Sequence, residues 1–396
     1  MGFEQIIFKA IFKGPTKKAQ HMNRWSKIVA TLTLTILTTI VFAQNYPLFV
    51  GTYTGKGSKG IYWLDFNSQT GLSTLISSTD TASNPSFICV APSGKYLYAV
   101  SEDGNKEHGH ISAYAINQKT KSFNFINKVP SNGDHPCFVA INKKANWLVA
   151  ANYSSGSLAS FFVNLNGSIN ESTQKIVHTG SGPNKQRQAS PHVHATFFGP
   201  NYTSVWAPDL GSDKIAVYDF NDKITSPLSS TAVHEIISSP GSGPRHLTFS
   251  PNKMFVYVIE ELAGTVSAYK IKDTKAILLQ SIKAHPQNLQ SNFGSADIHI
   301  TPNGKFLYAS NRGEENNLAV FSIHPLTGKL TSLGYQSVSG IGPRNFTIDP
   351  TGQYILVANQ ITNNIVTFYI NQATGLLKEL PTQINIPNPV CLVFHK

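Results

Sequence analysis

The chain repeats itself about every 50 residues, and each repeat consists of short strands and turns. Gly243-Pro244-Arg245-His246 runs on to Pro251, and Gly342-Pro343-Arg344-Asn345 runs on to Pro350 with the same spacing. Aligned on that downstream position, further copies lie at Asn84 to Pro92, Asp134 to Lys143, His192 to Pro200 and Gly294 to Pro302. Each copy is followed by an apolar strand, such as Phe255 to Ile259, then a tight turn and a third strand, such as Val266 to Ile271. The third strands are nearly continuously apolar, as expected of sheets packed on both faces. Repetition at this period, built from strands, predicts an all-β fold, a β-propeller of four-stranded antiparallel blades.

A seventh unit is split between the two ends. Ile386 to Phe394 has the pattern of a first strand, but the chain stops at Lys396. Leu48 to Tyr53 and Gly60 to Phe66 have the patterns of second and third strands with no first strand before them. Joined, the fragments complete a seventh blade, and closing the ring removes the strand edges that an open array would expose. The expected organisation is one seven-bladed propeller domain over residues 44–396. Residues 1–43 stand apart: Arg24 and Lys27 precede an apolar run from Ile28 to Ala43, the layout of a secretory signal, with Met1 to His21 as an upstream extension. The run is short for a membrane span. The expected location is therefore periplasmic or secreted, with no membrane attachment after cleavage.

The formal charge is +11, but residues 1–43 hold six of the 32 Lys and Arg and one of the 21 Asp and Glu, which leaves +6 for the propeller. No basic run or aromatic-basic stripe suggests a nucleic-acid surface. The expected partner is a small anionic molecule, a lactone or acidic sugar, bound by a monomer. Cys89, Cys137 and Cys391 fall on first strands of different blades without metal-type spacing, so they read as buried small hydrophobes. No metal and no cofactor are expected.

In each repeat the residue six before the anchoring position starts the inner strand, and the residue ten after it ends the second strand. The turn between them is antiparallel, so both positions lie at one end of the blade, at the channel mouth. The first set reads Ser86, Cys137, His194, Arg245, Ala296 and Arg344; the second reads Glu102, Tyr153, Leu210, Glu261, Arg312 and Gln360. Identity varies here while the surrounding repeat stays alike. Arg245 is expected opposite Glu261, and Arg344 beside Gln360. Three guanidinium groups at one mouth repel each other and lose hydration, an arrangement that makes sense if an anion is expected. Each residue also has a structural reading: Arg245 and Glu261 as a cross-strand ion pair, Arg312 as a solvated loop charge, His194 as a core histidine with His192 as its support. Glu260, Asn152, Asp209, Asn311 and Asn359, at or beside the second position, are expected to point away and bind loop backbone. Asn166 to Arg187 and Ala276 to Ser295 read as longer connections between blades.

The stretches Leu48 to Thr54, Ser190 to His194, Asp209 to Asp213, Gly241 to His246, Ser310 to Gly313 and Gly342 to Phe346 resemble the lactonase family of seven-bladed propellers. That family includes bacterial 6-phosphogluconolactonases and the fungal carboxy-muconate cyclase. The resemblance implies lactone chemistry at the channel mouth, and in the cyclase branch a site of one His, two Arg and one Glu, whose motif positions fall on His194, Arg245, Arg312 and Glu261. The expected reaction is hydrolysis of a sugar lactone or related acidic lactone. Arg245 and Arg312 would face the developing oxyanion, His194 would take the proton from water, and Glu261 would orient Arg245. Arg344 would hold a distal phosphate or carboxylate, with His192, Glu102 and Gln360 as further substrate contacts. No Ser stands in a Gly-x-Ser-x-Gly elbow, so no covalent nucleophile is expected. The alternatives are a lactonising isomerase of the muconate type, a calcium-assisted lactonase using Glu102, Asp103, Asn152 and Asp209, and a non-catalytic propeller that binds an acidic sugar or a protein partner.

Overall fold

The computed structural model describes residues 44–55, 57–103, 109–273, 275–286 and 293–395. The predicted secretory leader, residues 1–43, lies outside the described residues. The described chain forms 28 strands in seven antiparallel sheets of four. No helix occurs among the described residues. Blade 1 joins Pro389–Phe394 to Asn45–Thr52, Ile61–Asn67 and Ser73–Thr79. Blades 2 to 7 follow in chain order, each running from inner strand to outer strand. Their inner strands are Ile88–Val90, Pro136–Ile141, Phe197–Phe198, Pro244–Phe249, Ser295–Ile300 and Pro343–Ile348.

Why the middle strands are apolar at every position is clear from where alternate residues go. A strand side chain changes face at each step. In blade 7, Tyr354, Leu356 and Ala358 pack with Leu48 and Val50 of blade 1, whereas Ile355 and Val357 pack with Tyr308 and Val320 of blade 6. The same division holds around the ring, and the seven apolar clusters each fill one gap between neighbouring blades. Outer strands have solvent beyond them and are only half-buried or exposed, as in Leu377–Asn385.

The split blade closes as the sequence suggests. Phe394 pairs with Leu48, Leu392 with Val50 and Cys391 with Gly51, in antiparallel register. Two expectations need correction. Residues 166–187 and 276–295 are more than connections, because Ile169–Val177 and Lys275–Lys283 are the outer strands of blades 3 and 5. Glu261 also does not sit opposite Arg245: Pro244 pairs with Glu260 and His246 with Ile259, so Arg245 is the extra residue of a β-bulge. Arg344 is displaced in the same way between Pro343 and Asn345, and Cys137 between Pro136 and Phe138.

The closing strand is packed on both of its faces. Leu392 is buried in the cluster shared by blades 7 and 1. Leu392→Ala should cost about 3 kcal/mol, read as a fall in the denaturant midpoint. A loss below about 1 kcal/mol would mean that the ring does not depend on this clasp.

Candidate active site at the channel mouth

Seven backbone hydrogen bonds build the mouth. The residue that follows each second strand donates its N–H to a carbonyl just before the inner strand of the same blade. Glu102 bonds to Asn84, Tyr153 to His135, Leu210 to His192, Glu261 to Gly243, Arg312 to Gly294 and Gln360 to Gly342. In the split blade Tyr53 donates to Asn388 at 3.1 Å, which makes Tyr53 the seventh member of this ring. Just inside, the bulged residues Cys137, Arg245 and Arg344 are freed from the ladder to aim at the axis. All seven blades thus supply side chains to one opening.

A cavity of about 470 Å³ fills the mouth, lined by Tyr53, Glu102, Cys137, Tyr153, Arg187, His194, Glu261, Arg312 and Arg344 together with two glycines. Its central feature is the Glu261 carboxylate. Oε1 accepts a 2.7 Å hydrogen bond from Arg187, and Oε2 lies 3.0 Å from Nη2 of Arg312 and 3.0 Å from Nε of Arg245. The Arg245 contact is ionic only, since its Nε–H has no hydrogen-bond partner. Burial would raise the Glu261 carboxyl, but Arg312, Arg245 and Arg187 together hold it at about 2.

The four guanidinium groups differ in depth. Arg187 has 42% of its side chain exposed, Arg312 21%, Arg344 18% and Arg245 2%. Arg245 does not line the main cavity. It lies in the floor, where a space of about 10 Å³, the size of one water, separates it from Ser86, Cys137, His194 and Arg344. Nη1 donates to Ala296 O at 2.6 Å and lies 3.4 Å from His246 Nε2. Burial, then Arg312 and Arg344, bring its pKa down to about 10, so it stays charged at neutral pH. On the far side, Arg344 sits over the Tyr53 ring at 5.4 Å, while Tyr53 donates to Glu102 at 2.8 Å. Arg344 and Glu102 approach to 3.9 Å.

His194 forms the wall between mouth and floor. Burial and then Arg245 depress its pKa well below the usual imidazole range, so the ring is neutral. The segment that carries it has almost no ladder, since blade 4 contributes only Phe197–Phe198 as inner strand. The Asp209 carboxylate takes over, accepting the N–H of His192 at 2.7 Å, Gly211 at 3.0 Å and Ser212 at 3.2 Å. Below, Asp297 Oδ1 lies 2.8 Å from His246 Nδ1, and Oδ2 accepts from Asn345 and from the Phe346 N–H. Burial, with Arg245 adding to it, pushes His246 down to about 4. Neutral His246, with Nδ1–H on Asp297, can accept at Nε2 toward Arg245 and fix that guanidinium from beneath.

The structure brings His194, Glu261, Arg312, Arg344 and Glu102 into one cavity wall and sets Arg245 directly below them. It leaves two of the sequence-chosen residues outside the wall. The His192 ring stacks on Tyr153 at 4.4 Å with Nδ1 3.0 Å from the Tyr153 carbonyl, and Gln360 is joined to the mouth by its backbone bond to Gly342. Asn152, Asn311 and Asn359 are fully buried and donate to backbone carbonyls of Ser131, Ala284 and Val338. Asn152 and Asp209 are therefore committed to the scaffold and do not join Glu102 and Asp103 in a calcium site. No group of three or more His, Cys, Asp or Glu is placed to hold a metal ion among the described residues. Sequence reasoning missed Arg187 and Tyr53. Arg187 comes from the connection between blades 3 and 4 and has no place in the repeat. Tyr53 does have one, but the break in blade 1 hides its turn.

Residues 47–394 match the family described as Lactonase, 7-bladed beta-propeller. A 6-phosphogluconolactonase of Formosa agariphila is 39% identical over 339 residues, which covers 85% of this chain and 96% of that protein. A 6-phosphogluconolactonase of Bacillus subtilis is 33% identical over 353 residues, covering 88% of this chain and 98% of its own length. Among solved structures, the periplasmic gluconolactonase PpgL of Pseudomonas aeruginosa aligns with a TM-score of 0.84 at 31% identity, covering 89% of this chain and 99% of that one.

Removing the charge of Glu261 leaves buried guanidinium groups without their anion. Glu261→Gln should cost about 3 to 5 kcal/mol at pH 7 by denaturant unfolding. Because the folded-state pKa of Glu261 is depressed, its stabilisation is present above the ordinary value of 4.5 and is lost as pH falls toward about 2. The gap between wild type and variant should therefore narrow across that window. A gap independent of pH would show that the carboxylate charge is not what holds the arginines.

Proposed function

The chain belongs to the lactonase family of seven-bladed β-propellers, and we propose that its channel mouth hydrolyses a sugar lactone that carries a second, anionic group. The observation behind this reading is the charge balance of the mouth. Arg187, Arg245, Arg312 and Arg344 stand against the carboxylates Glu102 and Glu261, an excess of two positive charges beside a neutral imidazole. Such a site attracts an anion and can stabilise negative charge that builds during reaction.

Water is the nucleophile. The Cys137 thiol borders the cavity, but burial and then Glu102 push its pKa up, so it is not a thiolate at neutral pH. Of the two candidate bases, Glu261 at about 2 is too weak, and three arginines already occupy its oxygens. His194 is neutral and lines the cavity; burial and Arg245 weaken it as a base, but unlike Glu261 its ring nitrogens are not occupied by a guanidinium. As water oxygen bonds to the lactone carbonyl carbon, His194 takes the water proton and the carbonyl oxygen becomes an oxyanion. Arg312, held by Glu261 and by its own Nε bond to Gly294 O at 2.9 Å, faces that oxyanion, with Arg245 adding field from the floor. Collapse breaks the bond to the ring oxygen, which receives the proton back from His194, and the hydroxy acid ionises. The distal anion rests on Arg344, with Arg187 across the ring on the exposed rim. The names of the relatives favour a 6-phosphorylated gluconolactone as substrate.

Acid release from 6-phosphogluconolactone, followed by pH-stat with the spontaneous rate subtracted, tests the reading. His194→Gln and Arg312→Ala should each lower kcat by about 100-fold or more. Arg344→Met should instead raise KM about tenfold for the phosphorylated lactone and leave that for gluconolactone unchanged. Tight binding without acid release would make the mouth a receptor. The reading extends to export: residues 1–43 act as a cleaved leader and the propeller works outside the cytoplasm. The mature protein recovered from the periplasm or medium should begin at Gln44 by intact mass, and an uncut chain in the cytosol would refute this part.

A further inference from the structure

The turns joining first to second strands lie at the end of each blade away from the mouth, about 20 Å along the inner strand. Two residues after the anchoring position, this turn demands a left-handed backbone. Blades 2, 6 and 7 meet the demand with Gly94, Gly304 and Gly352, at φ of 67°, 73° and 74°. Blades 3, 4 and 5 do not. They place Ala145, Tyr202 and Lys253 there, at φ of 57°, 57° and 62°, a conformation that costs energy for any residue with a Cβ. The three exceptions are consecutive around the ring, and the same repeat satisfies the turn with glycine elsewhere. Ala145 packs against the core between blades 2 and 3, whereas strain kept at Tyr202 and Lys253 points to what those two side chains do.

A cavity of about 810 Å³ opens at these turns, larger than the one at the mouth. Tyr202 and Lys253 line it together with Lys143, Lys144, Asn201 and Phe220. Tyr202 is 42% exposed, and its ring stacks on Phe198 at 5.9 Å and 27°. Lys144 is paired with Asp222 at 2.6 Å, and Lys253 reaches Asn201 Oδ1 at 3.3 Å, so Lys143 and Lys253 are the cations without a carboxylate partner in this wall. An exposed aromatic face suits the apolar side of a pyranose ring, asparagine amides suit hydroxyls, and lysines suit carboxylates.

We propose that this opposite face is a second, non-catalytic site that holds an acidic saccharide, with Tyr202 as the stacking platform and Lys143 and Lys253 as the carboxylate contacts. It is separate from the mouth and does not depend on the reaction proposed there. The repeat itself supplies the test. Tyr202→Gly and Lys253→Gly restore the residue that other blades use at a left-handed turn, so neither should lower Tm, and loss of binding in them cannot be blamed on misfolding. Titration calorimetry with tetragalacturonate should give binding to the wild type at least about tenfold tighter than to neutral maltotetraose, and about tenfold weaker in either variant, with lactone turnover unchanged. The assignment is overturned if the wild type binds neither probe or both alike. It is equally overturned if the variants bind tetragalacturonate as the wild type does, which would place the saccharide at the mouth, or if a short single-stranded oligonucleotide is preferred.

Discussion

One carboxylate keeps the mouth from flying apart. Arg187, Arg245 and Arg312 all converge on Glu261, which is 6% exposed, and without it their mutual repulsion would act through a poorly screened medium. The same carboxylate spends its lone pairs on these contacts, which is why it organises the site and His194 moves the proton. Below it, Asp297 performs a parallel task for His246, and through His246 for Arg245. The cationic centre therefore rests on two buried acids, one beside the ligand space and one beneath it.

The ring itself was legible because the constraint behind it is periodic. Each blade must present apolar residues to two neighbours, so the second and third strands stand out at once, and the split blade follows from counting. Outer strands such as Leu377–Asn385 face solvent on one side and carry Lys, Glu, Pro and Gln, which weakens their signature. The position of the mouth residues was legible for the same periodic reason, and five of the eight chosen side chains share one cavity wall. Register arithmetic failed where the backbone departs from a ladder. It cannot see that Arg245 is the added residue of a bulge, and it set Arg245 in the mouth when the side chain lies in the floor. Arg187 belongs to a connection that obeys no repeat, so nothing in the spacing marks it.

Departure from the repeat is the common signal on both faces. At the mouth it appears as charge where equivalent blades have Ala296 or Leu210. On the opposite face it appears as Tyr202 and Lys253 where equivalent blades have glycine. In both cases the scaffold is reproduced and a few positions are released from it, so a fold built by repetition can carry two unrelated chemistries at opposite ends of the same strands.

The clasp of blade 1 bears on when the molecule can form at all. Its inner strand is Pro389–Phe394, and it pairs with Asn45–Thr52 at the other end of the described chain. Six blades can form from contiguous stretches of chain, yet the torus stays ajar until these two distant strands meet. Joining ends so far apart in sequence is a late and slow step. Until then Asn45–Thr52 presents an unpaired edge, which makes closure of the ring the event that protects the molecule from self-association.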